Sequence, residues 1–251
     1  MLLYEFEGKQ LFKNCGINVP QAELVDKDSI GRFAPSRMTF PVVLKAQTLS
    51  GKRAESGGIV KVTQGVISSE VKDLLHKIIN GEKVEKILVE EAVSIDKEYY
   101  LSFSYSTQTR GPVLTFGEGG TGAEEKGAKT YPVDTIEGFS GKGLPSELVE
   151  EGKKLWQLFI KYDCELAEIN PLVITKRDPS TRSARSGQSH IMALDAKVIL
   201  DDDAEFRREE KFPERNLFGR PPTKSEIEAR KIDKGDHRGT AGSVYWDLSG
   251  D

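Results

Sequence analysis

The chain has 251 residues, of which 37% are hydrophobic and 30% are charged, and its formal net charge at pH 7 is −4. This length and composition suffice for a hydrophobic core, in one large domain or two small ones. The charge balance gives no general electrostatic reason to expect nucleic-acid binding, and no apolar run is long enough to span a bilayer.

The two cysteines, Cys15 and Cys164, are too far apart in the sequence for a metal-binding motif. A reducing compartment without a disulfide is therefore expected. The first residues, MLLYEFEGKQ, lack a basic region followed by an apolar stretch, so no secretory signal is predicted. We expect a cytoplasmic protein, or a mitochondrial-matrix protein if its source is eukaryotic.

The first third of the chain predicts one helix followed by strands. A helix is expected over Tyr4–Cys15, with an apolar edge and with Gly16 placed to end it. After a strand in QAELV comes the short apolar strand Phe40–Gln47, which carries a single lysine, Lys45. The segment Ile59–Val62 resumes a strand.

The loop between these last two strands, TLSGKRAESGG, is the first candidate for ligand binding. It contains Gly51, Lys52 and Arg53. Accessible backbone N–H groups and two cations can meet phosphate oxygens, so the loop could cover a nucleotide phosphate. An ordinary solvated hairpin tip has the same composition, and the sequence alone favours that simpler interpretation.

The next elements alternate between helix and strand. An amphipathic helix is predicted from apolar residues at helical spacing, with Gly81 placed to stop it: Val71, Leu74, Leu75 and Ile78. A strand over Lys86–Val93 follows, then the polar connection SIDKE, the strand YYLSFSYS, the turn TQTRG and the strand PVLTF. This order predicts a mixed α+β domain.

A second glycine-rich stretch, Phe116–Gly127, has five glycines in twelve residues. Glycines allow positive φ and a close backbone approach to a ligand, although a mobile loop would have the same composition. A helix is then predicted within Gly143–Cys164, with one apolar face formed by Leu148, Gly152, Leu155, Trp156 and Phe159.

Two strands near residue 170 form the stretch with the clearest chemistry. Ala167–Lys176 and Ile191–Leu200 both read as apolar strands, and a hairpin with Lys176 near His190 would bring Asn170 close to Asp195. Amide and carboxylate oxygens are the hard ligands that suit Mg²⁺. The simpler interpretation, a structural Asn and a surface Asp at strand ends, is favoured by spacing alone.

The remainder of the chain is mostly polar. The basic, Ser-rich loop RDPSTRSARSGQS is expected to be mobile, and a short charged helix is expected at about Thr223–Ile232. The final SVYWDLSGD reads as a strand without a partner. We therefore expect a linker that leads to a further domain, either cut away or on another chain.

Five segments occur in an order that matches a known family: EGKQLF, VVLKAQ, ILVEEAVSIDKEYY, GEGG and EINPLVITK…ALDAKV. Together they resemble the ATP-grasp region of the NDP-forming acid–CoA ligases, which include the succinyl-CoA synthetase β subunit, ATP-citrate lyase and citryl-CoA synthetase. Each motif alone is weak, but five in register are specific. The resemblance covers residues 1–212 well and the following linker loosely.

The resemblance implies an α+β ATP-grasp fold of two subdomains with mixed or antiparallel sheets. The small subdomain would span about 20–98, and the larger one about 1–19 plus 99–236. Residues 237–251 would be a linker and the first strand of a missing flavodoxin-like CoA-ligase domain.

The resemblance also implies a nucleotide site for ATP or GTP with Mg²⁺. Its nucleotide-binding residues would be Lys45 and Arg53 at the phosphates, Glu90 and Glu98 near adenine and ribose, and Gly51, Lys52 and Val93. The metal ion would be held by Asn170 and Asp195.

The same family pattern gives Glu168 a catalytic role at the phosphoryl-transfer centre. A CoA-binding partner subunit would supply the histidine that receives the phosphoryl group. The loop that carries this histidine would meet Glu118, Gly119 and Gly120. Alternation along a strand supports part of this assignment, because it places Glu168 and Asn170 on one face.

Three departures from the family pattern stand out. Lys52 occupies a position where a glycine is common, and the loop between Lys176 and His190 is longer than usual. From the resemblance we also expect that the flavodoxin-like domain of the family is missing from this chain. We therefore expect the ATP–histidine half of a ligase reaction, acid + CoA + ATP giving acyl-CoA, ADP and phosphate, from a chain that is inactive alone. Succinate is the acid that we expect first, and citrate is the alternative. The competing functional class is a nucleotide-binding or assembly module without catalytic activity.

Overall fold

The computed structural model describes residues 1–33, 40–51, 53–63, 67–120, 127–176, 190–213 and 223–235. The α-helices in these ranges are α1 Glu5–Asn14, α2 Ile67–Leu75, α3 Val149–Lys161 and α4 Lys224–Gly235. None of them is long and apolar enough to cross a membrane. The strands are β1 Ala22–Asp26, β2 Val42–Ala46, β3 Ile59–Val62, β4 Ile78–Ile79, β5 Glu82–Lys83, β6 Lys86–Glu91, β7 Ile95–Ser106, β8 Gly111–Glu118, β9 Lys129–Pro132, β10 Cys164–Thr175, β11 Ile191–Ala193 and β12 Lys197–Leu200.

The strands form two antiparallel sheets and a small hairpin. The first sheet has the order β1-β6-β2-β3, and the second has the order β11-β10-β7-β8-β9, with β12 also paired to β10. Among the strands of the described residues, β4 and β5 pair only with each other. Antiparallel sheets with helices packed on them confirm the predicted α+β class.

Each large sheet has its own hydrophobic core. The first core draws on residues 25–89, and Val71 and Leu74 of α2 pack there against the strands. The second core draws on residues 1–17 and 101–200, and it includes Phe12 of α1 and Leu155 of α3. Helix α2 packs on the first sheet and helix α3 packs on the second. The subdomain limits given above stay a prediction.

Helix α1 contributes to both parts of the molecule. Its first turn is acidic and its last turn contains Lys13, an order of charges that complements the helix dipole. One face places Leu11 and Phe12 in the second core. The backbone N–H of Phe6 donates to Gln47 Oε1 at 3.0 Å, just after β2 of the first sheet. The helix therefore links the two sheets.

The predicted end of the helix that contains Val71 is wrong. Helix α2 ends at Leu75, and Ile78 is 71% exposed in strand β4 instead of lying on the buried helical face. Asn80 and Gly81, with φ values of 50° and 81°, form the tight turn between β4 and β5. Asn-Gly is a strong hairpin signal, and here it prevails over the apolar spacing.

The polar segment SIDKE also differs from its prediction, since it begins strand β7 instead of connecting two strands. The predicted strand Ile191–Leu200 is divided into β11 and β12, with residues 194–196 between them. The predicted C-terminal helix is confirmed as α4. The loop 177–189 and the segment SVYWDLSGD lie outside the described residues.

The two cysteines differ in their environments, which predicts different reactivities. Cys164 is 2% exposed, and burial raises the pKa of its thiol far above the ordinary value. Cys15 is only half-buried, although burial raises the pKa of its thiol too. Because the thiolate is the nucleophile, a disulfide reagent at pH 8 should label Cys15 slowly and leave Cys164 unmodified until the protein is unfolded. Rapid labelling of Cys164 in a folded Cys15→Ser variant would contradict this burial.

Candidate functional site

Six charged side chains meet where α1, the first sheet and the segment between β11 and β12 come together. They are Glu5 and Lys9 of α1, Lys45 of β2, Arg53 of the loop between β2 and β3, Glu90 of β6, and Asp195. We call this group the charge cluster. Its three acids and three bases balance in formal charge, and every side chain except that of Asp195 is exposed by 10% or less.

Three protein oxygens surround the ammonium nitrogen of Lys45. Its Nζ atom lies 2.8 Å from Glu5 Oε1 and 2.6 Å from Glu90 Oε2. It also donates to the backbone oxygen of Leu194. The contacts with Glu5 and Leu194 are hydrogen bonds, and the contact with Glu90 is an ion pair. Lys45, the single lysine of an otherwise apolar strand, thus belongs to a dense network of ion pairs.

Lys9 lies one helical turn after Glu5 in α1 and contacts the same residues as Lys45. Its Nζ atom is 2.7 Å from Glu5 Oε1 and 2.7 Å from the oxygen of Leu194, and it also pairs with Glu90. Neither Glu5 nor Lys9 received a role from the sequence. Glu and Lys four residues apart on a helix usually form an exposed pair, so their spacing gave no signal of burial.

Arg53 connects the cluster to its most exposed member. Its Nη1 group donates to the oxygen of Ala46 at 3.2 Å, and its Nη2 atom lies 2.9 Å from Asp195 Oδ1. The same Nη2 atom is 2.8 Å from Glu5 Oε2, an ion pair without hydrogen-bond geometry. The Asp195 side chain is 38% exposed. The Arg53–Asp195 pair is therefore the solvent-facing end of the cluster.

Glu5 and Lys45 keep their charges despite burial, whereas burial lowers the pKa of Lys9 and raises the pKa of Asp195. Burial alone would raise the pKa of Glu5, but Lys45, Lys9 and Arg53 outweigh it and hold that pKa well below its ordinary value. Burial likewise opposes the charge on Lys45, yet Glu5 and Glu90 raise its pKa. Glu5 and Lys45 are consequently ionised at neutral pH.

The loop between β2 and β3 is anchored by the β4–β5 hairpin. Glu82 Oε2 accepts the backbone N–H groups of Leu49 at 2.8 Å and Ser50 at 3.3 Å. Asn80 Nδ2 donates to the oxygen of Gly51 at 2.7 Å. With these contacts and a buried Arg53, the loop is more than the solvated hairpin tip that the sequence favoured. Lys52 lies outside the described residues.

Glu168 is a buried residue in the middle of β10, a strand of the second sheet. It is 8% exposed, and its Oε2 atom accepts a hydrogen bond from the Tyr100 hydroxyl at 3.0 Å. Strand β10 pairs Glu168 with Ser102 of β7 on one side and with Lys197 of β12 on the other. Two paired neighbours fix the backbone at this position.

Asn170 contacts the glycine-rich stretch. Its Oδ1 atom accepts the backbone N–H of Gly120 at 2.9 Å. Gly120 has a φ of 93°, and a Cβ on Gly119 would lie 2.7 Å from backbone atoms of Tyr99. Both positions therefore require glycine. The segment Glu118–Gly120 thus packs beside the first residues of β7, next to the exposed Glu98.

The strands on either side of the predicted metal pair are in a register that would bring its two residues together, and the metal pair itself stays a prediction. Residues 191–193 pair with 172–174, and Lys197 pairs with Glu168, so the same register places Asn170 opposite Asp195. Each side chain has a protein partner, Gly120 N–H for Asn170 and Arg53 for Asp195. Mg²⁺ commonly takes one or two protein oxygens and completes its shell with water and phosphate. The donor set fits that ion, although no group of three or more His, Cys, Asp or Glu residues suited to a metal occurs in the described ranges.

Comparisons with known proteins identify the family. The ATP-grasp domain pattern matches residues 2–137, which is more than half of the chain. The chain belongs to the ATP-grasp domain family. It is 34% identical to the β subunit of succinate–CoA ligase (ADP-forming) from Staphylothermus marinus, over 100% of this chain and 66% of that protein. It is 37% identical to the corresponding subunit from Methanocaldococcus jannaschii, over 85% of this chain and 61% of that protein.

Solved structures show the same fold. ATP citrate lyase from Methanothrix soehngenii superposes with a TM-score of 0.66 at 24% identity, covering 94% of this chain and 60% of that chain. The chain spans less than two thirds of the length of these relatives. The match to the ATP-grasp domain pattern includes Lys45, Arg53 and Glu90. Glu168 and Asp195 lie beyond that match, in a part of the chain that is covered by the similarity to the Staphylothermus marinus subunit.

Within the ATP-grasp domain, the two sheets are joined by a short link between β6 and β7. Val93 lies in this link and is half-buried. The preceding residue, Ala92, donates its N–H to the oxygen of Pro41 at 2.9 Å, which fixes the start of the link beside β2. Of the two acids expected near adenine and ribose, Glu90 is buried in the charge cluster and Glu98 is exposed near Gly120.

Proposed function

We propose that this chain is the nucleotide-binding part of an NDP-forming acid–CoA ligase. It would transfer the γ-phosphoryl group of ATP to a histidine on a CoA-binding partner subunit. The observation that carries the proposal is the charge cluster, which joins Lys45 and Arg53 to Asp195 at the junction of two ATP-grasp sheets. The two succinate–CoA ligase relatives favour succinate over citrate as the acid.

Lys45 and Arg53 are proposed to bind the nucleotide phosphates. Phosphoryl transfer requires little covalent work from the protein, so positioning and charge neutralisation supply most of the catalysis. Both cations already have protein acceptors, so phosphate oxygens would replace some of these contacts. Gly51 and Lys52 would lie over the phosphates. Glu90 and Glu98 are proposed to lie near adenine and ribose, and Val93 is proposed as a further nucleotide contact.

Asn170 and Asp195 are the proposed ligands of Mg²⁺. When bound, the ion would neutralise charge on the phosphate oxygens. Both residues contribute hard oxygen atoms, and Asp195 is accessible enough to exchange partners.

Glu168 is proposed as the catalytic carboxylate that receives the partner histidine. It would accept a hydrogen bond from one imidazole nitrogen and fix its tautomer, leaving the other nitrogen to attack the γ-phosphorus. The Tyr100 hydroxyl that donates to Glu168 would hold the carboxylate in place. Glu118, Gly119 and Gly120 are the proposed contacts for the incoming loop.

The phosphorylated residue should not lie on this chain. His76 is exposed at the end of α2, where its Nδ1 atom is 2.7 Å from the oxygen of Lys72, and His190 is exposed just before β11. His237 lies outside the described residues. After incubation with γ-labelled ATP and Mg²⁺, we expect no acid-labile label on this chain, either alone or with its partner.

The control for this prediction replaces each histidine in turn with asparagine. Label on the chain that disappears in one of these variants would contradict transfer to a second subunit. Label that appears on the partner alone, and only when this chain is present, would support it.

A further inference from the structure

The Arg53–Asp195 pair differs from the other ion pairs of the charge cluster in its exposure. Its shortest contact, Nη2 to Oδ1, is 2.9 Å. The Asp195 side chain is 38% exposed, whereas Glu5 and Glu90 are exposed by 3% or less. An exposed partner can be exchanged at a lower desolvation cost than a buried one. Asp195 is thus the acceptor that an incoming oxygen displaces most readily.

Asp195 is also one of the two proposed metal ligands, so the pair joins both functions. Arg53 is a proposed phosphate ligand, and Asp195 lies across the hairpin from Asn170. A carboxylate that neutralises Arg53 competes with phosphate for the same N–H group. A guanidinium that neutralises Asp195 competes with a metal ion for the same carboxylate. Each member of the pair therefore blocks the ligand of the other.

We propose that Asp195 is an internal competitor for Arg53, so that nucleotide and divalent cation enter together and each takes one member of the pair. This inference rests on the proposed nucleotide-binding function and adds a coupling between the two ligands. The cluster is balanced in formal charge, and a bare triphosphate would add several negative charges beside Asp195. A cation held by Asp195 and Asn170 removes that conflict. Thermodynamic linkage requires the coupling to be reciprocal.

The test uses Asp195→Asn and measures ATP binding calorimetrically in two buffers, one with EDTA and one with Mg²⁺. With EDTA, the variant should bind ATP about fivefold more tightly than the unmodified chain, because the competing charge is lost. With Mg²⁺, the variant should bind ATP less tightly than the unmodified chain, because a metal ligand is lost as well. A purely structural role for Asp195 would lower affinity in both buffers.

Two further variants sharpen the test. Asp163→Asn removes a similar ion pair, to Arg207 at 2.6 Å, and asparagine tolerates its φ of 50°. This control should leave ATP affinity unchanged in both buffers. Asn170→Ser leaves the Arg53–Asp195 pair intact, so it should weaken binding only with Mg²⁺. If circular dichroism shows that Asp195→Asn is not folded, the same binding measurements are made on Asp195→Ser.

The outcomes separate the competition from the function on which it rests. Reversal of the affinity order between EDTA and Mg²⁺ supports the competition. Unchanged or weaker ATP binding by Asp195→Asn in EDTA overturns it while leaving nucleotide binding in place. Failure of the unmodified chain to bind ATP in either buffer overturns the proposed function itself.

Discussion

Replacing Glu168 by glutamine should slow phosphoryl transfer to the partner histidine about a hundredfold, a size typical of a lost acid–base or orienting group. Glutamine is nearly isosteric and can still accept the hydrogen bond from the Tyr100 hydroxyl, which lies 3.0 Å from Glu168 Oε2. The fold and ATP affinity should therefore change little. The measurement is single-turnover transfer from MgATP to the reconstituted partner, with a melting curve of the variant beside it.

Glu151 of α3 provides a matched control. It is a buried glutamate, 6% exposed, with its own ion pair to Lys154 at 2.7 Å. Glu151→Gln should leave the transfer rate unchanged, whatever it does to stability. A normal transfer rate for Glu168→Gln, or a large fall in its melting temperature, would instead assign Glu168 a structural role.

Replacing Lys45 by alanine should have two large effects. ATP affinity should fall more than tenfold, or roughly 1.4 kcal/mol, because a charge-assisted phosphate contact is lost. Stability should also fall by about 3–5 kcal/mol, since Glu5 and Glu90 lose a shared buried cation. The sequence predicted only the first effect, because the carboxylates around Lys45 come from other segments. Titration calorimetry and urea unfolding measure the two effects separately.

Lys9→Met distinguishes ligand binding from general damage to the cluster. Lys9 contacts the same two carboxylates and the same Leu194 oxygen as Lys45, but it projects from the helix and not from β2. The variant should lose comparable stability and much less ATP affinity than Lys45→Ala. Equal losses of affinity in the two variants would mean that Lys45 acts only through the network.

The strand pattern of the protein was largely readable from the sequence. The hairpin of β10 with β11 and β12 follows from two apolar runs separated by a polar loop, and its register follows from their lengths. The end of α2 was misjudged because Ile78 fits helical spacing by coincidence. The Asn80–Gly81 turn was the better signal, since both residues adopt positive φ.

The charge cluster was only partly predictable. Lys45 and Arg53 could be singled out, one as a lone lysine in an apolar strand and the other from its glycine-containing loop. The burial of Glu5 and Lys9 could not, because it arises when α1 docks against β2 and β6. Local spacing contains no information about such a tertiary contact. Residues 194–196 interrupt the strand between β11 and β12, and the Leu194 oxygen there accepts hydrogen bonds from Lys9 and Lys45. This interruption could not be predicted for the same reason.

The most direct test of the proposed function mixes this chain, MgATP labelled at the γ-phosphate and the CoA-binding partner subunit in a single turnover. We predict acid-labile, base-stable label on one histidine of the partner, formed together with an equal amount of ADP, and none on this chain. ATP that binds to this chain without any label reaching the partner would contradict phosphoryl transfer and leave only a nucleotide-binding module.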